Sequence, residues 1–213
     1  ILRCLVGSEM CIRDRSDIVQ VVENFNVVSL GSGLSDKPAA MAFVGESLRF
    51  FSDKNIQVVL DADGLNAVFG LGITKLPLNC VITPHPKELS RLINVPVDEI
   101  QNDRLQYAKF AAQKFSCTVV LKGQNTLIVS DSEAYINTTG NSALAKAGSG
   151  DVLTGMIAGC VAQGLAVKDA AILGVYLHGL AGELASRDLT EYSVLADDIL
   201  RYIPAAIKIL LNR

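Results

Sequence analysis

The sequence predicts an α/β protein whose central sheet is mostly parallel and covered by helices on both faces. Short apolar strands alternate along the chain with longer segments of helical periodicity, a pattern typical of that class. The chain has 213 residues, half of them apolar, which is enough for one domain with a sizeable core. No internal repeat or low-complexity linker divides it, so we expect a single domain.

The first half of the chain supplies three strand–helix units. VVSL at 27–30 is a strand that ends in a glycine turn, and residues 38–53 form a helix with one apolar face. QVVLD at 57–61 is a β-branched strand that ends at DADGLN, which opens a short helix. CVITP at 80–84 is a strand stopped by proline, and the KELSRLI segment after it is a helix.

The second half adds one more such unit and a hairpin. Residues 98–114 form a helix with Asp98 as its predicted cap, and TVVLKG at 118–123 is a fourth strand. The segments TLIVSD at 126–131 and EAYIN at 133–137 are predicted to pair as a hairpin.

The last third of the chain is predicted to be helical. We expect helices at 151–163, at 168–186 and at about 196–210. Gly155 and Gly159 lie four residues apart in the first of them, which predicts that a neighbouring element approaches that face closely.

Composition and charge exclude several kinds of partner. The net charge is −3 without a basic block, so neither nucleic acid nor an anionic membrane surface is expected. The longest uncharged apolar stretch, residues 152–167, is too short and too interrupted by glycines to cross a bilayer. The five cysteines show no CxxC pair and no metal-binding spacing, which favours reduced thiols and a cytoplasmic protein.

The first fifteen residues, ILRCLVGSEMCIRDR, differ from the rest of the chain. They show no usable periodicity, and they lack the apolar centre and cleavage site of a secretory signal. They resemble translated adapter sequence. We therefore expect a non-native segment at 1–15 and a single domain at 16–213 that lacks an N-terminal piece.

The turn AKAGSGDVLTG, residues 145–155, is the first candidate for a functional site. Its glycines let backbone N–H groups approach an anion, and a helix that begins at Asp151 would add its positive end. The Asp151 carboxylate is suited to accept a proton from a hydroxyl that attacks a phosphoryl group. The simpler alternative is that Asp151 only caps the helix.

Two further motifs follow predicted strands. In KGQNT, residues 122–126, Lys122 can reach a phosphate, although most strand-end lysines are merely solvated. In TPHPKEL, residues 83–89, two prolines fix the backbone around His85, which favours a binding role, although a lone histidine is usually structural or merely exposed. Glu88 is a candidate Mg²⁺ ligand through water, or alternatively a first-turn acid favoured by the helix dipole.

Two more polar motifs end the first two strands. Asp61 and Asp63 can position magnesium or a lysine, or can cap the helix that follows. GSGLS at 31–35 can wrap a cofactor or only turn the chain. Ligands bind at the carboxyl ends of the strands in such sheets, so these motifs together predict one site. His178, in the middle of a predicted helix, is interpreted as a packing residue.

Four blocks of sequence resemble the ADP/ATP-dependent NAD(P)H-hydrate dehydratases. In chain order they are VVLDADGLNAV, VITPHPKELSRL, VVLKGQNTLIV and TTGNSALAKAGSGDVLTGMIAGCVAQGL, and the similarity runs from about residue 27 to the C-terminus. The resemblance implies a ribokinase-like three-layer α/β/α fold and a homo-oligomer, with a tetramer as the expected state. It also implies a reaction. ADP or ATP, with Mg²⁺, phosphorylates the ring hydroxyl of hydrated NADH or NADPH (the S epimer), and loss of phosphate restores the double bond.

The resemblance also assigns roles to residues. Asp151 is the implied catalytic base, and Gly33, His85 and Asp151 are implied to contact the hydrated dinucleotide. Glu88 would hold Mg²⁺ through water. The residues implied to contact ADP or ATP are Lys122, Gly123, Gln124, Asn125, Thr126, Asn141, Ala147, Gly148, Ser149 and Gly150.

The chain departs from the family pattern at three places. GSGLS replaces GPGLG, so Ser32 loses the rigidity of proline and Ser35 stands where glycine would tolerate a positive φ more readily. DADGLN replaces DADALN, and the glycine-rich strand–turn–helix unit that begins the family domain is absent. An inactive nucleotide-binding fragment is therefore one alternative. The other is a small-molecule kinase of the same fold, acting on a vitamin precursor or a sugar, although such kinases carry TPN where this chain has TPHP.

Overall fold

One mostly parallel sheet organises the protein. The computed structural model describes residues 22, 25–131 and 133–212, so the predicted non-native segment at 1–15 lies outside the described residues. Within them, six strands form one sheet in sequential order: β1 Val27–Leu30, β2 Gln57–Leu60, β3 Cys80–Ile82, β4 Thr118–Leu121, β5 Leu127–Ser130 and β6 Glu133–Ile136. Strands β1 to β4 are parallel to one another, β5 is antiparallel to β4, and β6 is antiparallel to β5. The predicted parallel sheet with its terminal hairpin is confirmed.

Helices follow the strands as the periodicity predicts. They are α1 Pro38–Asp53, α2 Asp63–Gly70, α3 Pro86–Ile93, α4 Val97–Asn102, α5 Arg104–Phe115, α6 Ser149–Ala162, α7 Val167–Ser193 and α8 Ala196–Leu211, with a 3₁₀ turn at Ser142–Leu144. The bounds of α1 match the prediction. Helix α7 runs past the predicted end at 186, and it is interrupted at Thr190, which has a positive φ of 66°. None of the described helices combines the length and apolarity needed to cross a membrane.

The predicted single helix at 98–114 is in fact two helices. Asp103 lies between α4 and α5 with a non-helical backbone (φ −142°, ψ 73°), and its side chain accepts a hydrogen bond from the N–H of Gln106 at 3.0 Å. An aspartate at this position satisfies an N–H group that the first turn of a helix leaves unpaired. Asp103 is therefore the cap of α5. The prediction of Asp98 as a cap was wrong, because Asp98 lies within the first turn of α4.

Alternating strand residues separate the two helical layers. Leu60 and Ile82 belong to a core that includes residues of α1, α2 and α5. Val59, Val81 and Val120 point to the other face, where they share a core with residues of α6 and α7. Successive side chains of a strand point to opposite faces, so both faces of the sheet are covered. This is the expected three-layer α/β/α arrangement.

Close packing of α6 against α7 comes from a different glycine than predicted. A methyl group placed on Gly155 or Gly159 of α6 would meet nothing within 4 Å among the described residues. A methyl group on Gly174 of α7 would lie 2.8 Å from the Cγ1 atom of Ile157. The prediction for Gly155 and Gly159 is therefore wrong within the described chain, because α7 supplies the small residue at the contact.

The three described cysteines are free thiols with different environments. Cys80 on β3 and Cys117 before β4 are buried, and burial raises the pKa of both thiols. Cys160 on α6 is only half-buried. Cys80 and Cys117 are therefore core residues, and their raised pKa makes them packing groups rather than nucleophiles.

Candidate active site

The loops that follow β2, β3 and β4 meet at one edge of the sheet. The backbone N–H of Lys122, after β4, donates to the carbonyl of Pro84, after β3, at 2.9 Å. The N–H of Thr83 in turn donates to the carbonyl of Leu60, at the end of β2, at 3.1 Å. The strands end one or two residues earlier than predicted because these residues leave the sheet to form the loops. The carboxyl edge is where ligands bind in such folds.

Lys122 occupies the centre of this edge. Its ammonium Nζ lies 2.7 Å from Asp61 Oδ1 and 3.9 Å from Glu88 Oε2. Asp61 Oδ2 also accepts a hydrogen bond from the Thr154 hydroxyl of α6 at 3.3 Å. The Lys122 side chain is 21% exposed, so its ammonium is mostly buried at this edge but still partly accessible to solvent. The alternative of a merely solvated lysine is therefore excluded.

The AGSGD turn starts its helix two residues earlier than predicted. Helix α6 begins at Ser149, and its N-cap is Gly148, which has a φ of 83° that suits glycine. Asp151 is the third helical residue, so the alternative that Asp151 caps the helix is wrong. Its carboxylate is exposed and has no hydrogen bond or ion pair with any described residue. A negative side chain is favourable in the first turn of a helix, where the dipole is positive.

Ser149 uses its polar groups within the protein. Its N–H donates to the Lys146 carbonyl at 3.3 Å, and its buried hydroxyl lies 3.2 Å from Nε2 of His178. The first N–H groups of a helix find no partner inside it, which leaves those of Gly150 and Asp151 available at the start of α6. The N–H groups of Gly150 and Asp151 are therefore the ones that the start of α6 offers to an anion, and the contact of Gly148, Ser149 and Gly150 with the nucleotide stays a prediction.

Gly150 lies directly against the Lys122–Asp61 pair. A methyl group on Gly150 would lie 3.4 Å from Asp61 Oδ2 and 3.5 Å from Lys122 Nζ. These are ordinary contact distances, so the glycine keeps the ammonium accessible from the helix start. The Lys122 ammonium and the first N–H groups of α6 thus lie next to each other, an arrangement that is suited to a phosphate.

His178 has a more specific contact than the packing role predicted for it. It is buried on α7, and it ties that helix to the AGSGD turn through the Ser149 hydroxyl. Burial lowers the pKa of His178 to about 4, so the imidazole is neutral near pH 7. Sequence reasoning missed this link because a histidine among Ala, Leu and Gly gives no indication of its partner.

His85 caps helix α3 with its imidazole ring. Its Nδ1 accepts from the N–H groups of Lys87 and Glu88 at 3.1 and 3.2 Å, and the Glu88 carboxylate accepts from the His85 N–H at 2.7 Å. This reciprocal pair is a capping box with histidine as the cap. Because Nδ1 accepts, the ring proton of the neutral imidazole resides on Nε2. The His85 side chain is 47% exposed, and its Nε2 lies 3.6 Å from Glu88 Oε2, which is beyond hydrogen-bond distance, so this donor is available to a ligand.

Glu88 takes the position of a first-turn acid. It is buried, and its Oε2 both completes the capping box and faces Lys122. Within the described ranges, no group of three or more His, Cys, Asp or Glu side chains could hold a metal ion. Asp61 and Glu88 fit Mg²⁺ only in the manner of ions that arrive with phosphate and keep most of their waters. Glu88 as a Mg²⁺ ligand through water stays a prediction.

The KGQNT loop is shaped by an arginine that sequence reasoning missed. The Arg104 guanidinium donates to the carbonyls of Leu121 and Lys122 at 3.0 and 3.2 Å, and to that of Gln124. The Thr126 hydroxyl closes the turn by donating to the Gly123 carbonyl at 2.9 Å. A cleft of about 610 Å³ adjoins the loop, lined by Pro86, Gln101, Asn102, Asp103, Arg104, Leu105, Gly123, Gln124, Asn125, Leu127 and Ile136. Three residues predicted to contact the nucleotide thus line one cleft.

The GSGLS turn is fastened to the DADG turn. The Ser35 N–H donates to Asp63 Oδ2 at 2.7 Å, and the Asn66 amide donates to Asp63 Oδ1 at 3.3 Å. Gly33 has a φ of 71°, and Ser35 adopts a φ of 74° despite being less suited than glycine to that conformation. Asp63 therefore holds the loop that carries Gly33, one of the predicted dinucleotide contacts.

Asn141 lies beside α7, in a second cleft. Its side chain accepts from the Ala143 N–H at 3.0 Å and donates to the Ser186 hydroxyl at 2.8 Å. The cleft has a volume of about 380 Å³ and is lined by Asn141, Glu183, Ser186, Arg187 and Glu191. These contacts do not join Asn141 to the KGQNT loop. Its predicted nucleotide contact, like that of the exposed Ala147, stays a prediction.

Gly31 is the glycine on which this edge depends most for stability. A methyl group there would lie 1.8 Å from the Asp61 carbonyl oxygen, and the φ of 130° is strained for other residues. We expect Gly31→Ala to lower the free energy of unfolding by roughly 3 kcal/mol. Gly72→Ala is the matched control, because Gly72 has a φ of 61° and open space around it. We expect it to cost only about 1 kcal/mol of backbone strain. Urea unfolding measures both; equal losses would show that the contact with Asp61 is not limiting.

The fold and the site together define a member of the ribokinase-like class of α/β proteins. A ribokinase-like superfamily protein from Enterococcus faecalis superposes with a TM-score of 0.82 at 29% identity, over 91% of this chain and 66% of that chain. The family profile described as NAD(P)H-hydrate dehydratase matches residues 4–205. The chain belongs to the NAD(P)H-hydrate dehydratase family.

Two further similar proteins carry names that match this family. The "Bifunctional NAD(P)H-hydrate repair enzyme Nnr" of Moorella thermoacetica is 41% identical over 202 residues, which is 92% of this chain and 37% of that protein. The crystal structure of an ADP/ATP-dependent NAD(P)H-hydrate dehydratase from Bacillus subtilis, co-crystallised with ATP/Mg²⁺ and soaked with CoA, has a TM-score of 0.74 at 33% identity. The match covers 86% of this chain and 66% of the B. subtilis chain. The chain thus spans 37% and 66% of the lengths of these two relatives.

Proposed function

We propose that the protein dehydrates hydrated NADH or NADPH, the S epimer, with ADP or ATP as co-substrate. The observation that carries this proposal is the position of Gly150, at the start of α6, against the Lys122–Asp61 pair, with Asp151 exposed in the same first turn and unpaired among the described residues. Family membership and the B. subtilis structure with ATP/Mg²⁺ support the same assignment. The direct test is regeneration of NADH absorbance from the hydrate.

Asp151 is the proposed base for the first step. It accepts the proton of the ring hydroxyl while the hydroxyl oxygen attacks the terminal phosphoryl group of the nucleotide. The nucleotide leaves with one phosphate fewer, and the ring then carries a phosphate ester. Elimination of that phosphate, with loss of a proton from the neighbouring ring carbon, restores the double bond and gives NAD(P)H and inorganic phosphate.

The remaining residues bind and orient. The Lys122 ammonium and the N–H groups of Gly150 and Asp151 stabilise the charge on the transferring phosphoryl group. Gly123, Gln124 and Asn125 line the cleft proposed for the nucleotide. Glu88 would hold Mg²⁺ through water, and the ion would supply further charge neutralisation.

The proposal extends to the cellular location, the oligomeric state and the nucleotide choice of the protein. We place the protein in the cytoplasm because its buried cysteines are free and its family acts on a nicotinamide cofactor. We propose a homotetramer by resemblance to the family. We also propose that nucleotide choice depends on the KGQNT cleft, which Arg104 shapes.

His85 offers a test that separates binding from folding. Asparagine caps helices well but lacks the Nε2–H of histidine, so we expect His85→Asn to keep wild-type thermal stability. Its KM for the hydrated dinucleotide should rise about 10-fold, because one hydrogen bond is lost. His85→Ala loses the cap as well, so it should show the same KM together with about 1 kcal/mol lower stability. Steady-state kinetics and thermal melts measure both variants. An unchanged KM in both would refute the binding role.

A further inference from the structure

We infer that Asp61 is a positioning residue that holds the Lys122 ammonium at the phosphate position. The sequence left three roles open for Asp61: magnesium, a lysine or a helix cap. The structure assigns it to the lysine. This inference rests on the proposed function for the identity of the phosphate, which is that of ADP or ATP.

Burial makes the Asp61–Lys122 pair mutually dependent. Asp61 is 2% exposed, and its Oδ1 lies 2.7 Å from Lys122 Nζ, the shorter of the two carboxylate contacts of that ammonium. A buried carboxylate is costly without a partner, so Asp61 needs the lysine charge. The Lys122 ammonium lies at the end of a flexible four-carbon side chain. Without Asp61, this strongly hydrated group would turn towards water.

Thr154 connects this pair to the start of α6. Its one hydroxyl proton is shared between Asp61 Oδ2, at 3.3 Å, and the carbonyl of Gly150, at 2.9 Å and one turn earlier in the helix. The Asp61 carboxylate is therefore oriented by the same helix whose first N–H groups face the proposed phosphate. The Lys122 ammonium has three N–H donors. One of them donates to Asp61, and the other two can donate to a ligand.

A double-mutant cycle tests whether Asp61 acts through Lys122. The variants are Asp61→Asn, Lys122→Met and the double variant, with Asp53→Asn as an exposed carboxylate control on α1. Calorimetry with ADP or ATP and Mg²⁺ measures affinity. We expect each single variant to weaken binding about 10- to 100-fold and the double variant to be no weaker than Lys122→Met. Asp53→Asn should bind like wild type.

Two results would overturn the inference. One is an equal loss from Asp61→Asn in the presence and absence of Lys122, which would show that Asp61 acts independently. The other is unchanged nucleotide affinity in Asp61→Asn. If that variant fails to fold, Thr154→Val serves instead, because it frees one oxygen of the Asp61 carboxylate. It should weaken binding a few-fold, and the effect should vanish in the Lys122→Met background.

A measurement that does not depend on turnover tests the positioning role of Asp61 separately from the proposed function. Nitrogen-15 NMR of the lysine side chains should show a protected ammonium signal for Lys122 that disappears in Asp61→Asn and persists in Asp53→Asn. If this signal and the binding cycle behave as expected but the hydrate is not converted, the proposed function fails and the positioning role stands. Absence of the protected signal from the wild-type protein would refute the positioning role.

Discussion

Replacing Asp151 with asparagine is expected to lower turnover about 100- to 10,000-fold, the usual contribution of a general base. Nucleotide affinity should change little. The carboxylate is exposed and unpaired among the described residues, so it holds no other part of the site in place. Asparagine keeps the shape of the side chain but cannot accept the hydroxyl proton. Single-turnover kinetics and nucleotide calorimetry measure the two quantities separately.

Asp169 provides the matched control for Asp151. It is also an exposed aspartate at the third position of its helix, α7, so Asp169→Asn loses the same favourable interaction with the helix dipole. We expect the two variants to have equal thermal stability, while only Asp151→Asn loses turnover. Turnover near the wild-type value in Asp151→Asn would show that another group removes the proton.

Replacing Gly150 with alanine is expected to leave the fold intact and lower turnover about 100-fold. The added methyl group lies at ordinary contact distance from Asp61 and Lys122, so it strains nothing, but it covers the ammonium. A phosphate could then no longer contact both Lys122 and the start of α6. Calorimetry should show weakened nucleotide binding alongside the loss of turnover.

Gly155→Ala is the control for Gly150→Ala, since it adds a methyl group to the same helix. Nothing lies within 4 Å of that position among the described residues. We expect this variant to gain up to about 1 kcal/mol of stability from helix propensity and to keep wild-type turnover. If Gly150→Ala behaved in the same way, the start of α6 would not be the phosphate site.

Periodicity and strand-end motifs predicted most of the architecture. The bounds of α1 and the order of strand and helix followed from apolar spacing, because burial of one helix face and of both sheet faces imposes these periods. The break at Asp103 was missed because both flanking segments share helical periodicity, and only the capping hydrogen bond to Gln106 distinguishes them. The start of α6 was placed two residues late because glycine and serine have weak helix propensity.

The strand-end motifs predicted a shared edge for Asp61, Glu88 and Lys122 but did not predict which of their side chains pair. Asp61 and Lys122 are 61 residues apart, and their contact depends on the order of β2, β3 and β4 in the sheet. The contacts of Arg104 with loop carbonyls and of His178 with Ser149 likewise depend on helix packing. Such pairings arise from tertiary structure, so residue type and spacing carry little information about them.

Conversion of hydrated NADH tests the central claim most directly. The full chain is incubated with the S epimer of hydrated NADH, Mg²⁺ and either ADP or ATP, while near-ultraviolet absorbance and inorganic phosphate are followed together. The proposed function predicts a rise in NADH absorbance matched mole for mole by phosphate release. Flat absorbance, with or without accumulation of a phosphorylated hydrate, would contradict it, and accumulation would indicate a kinase instead.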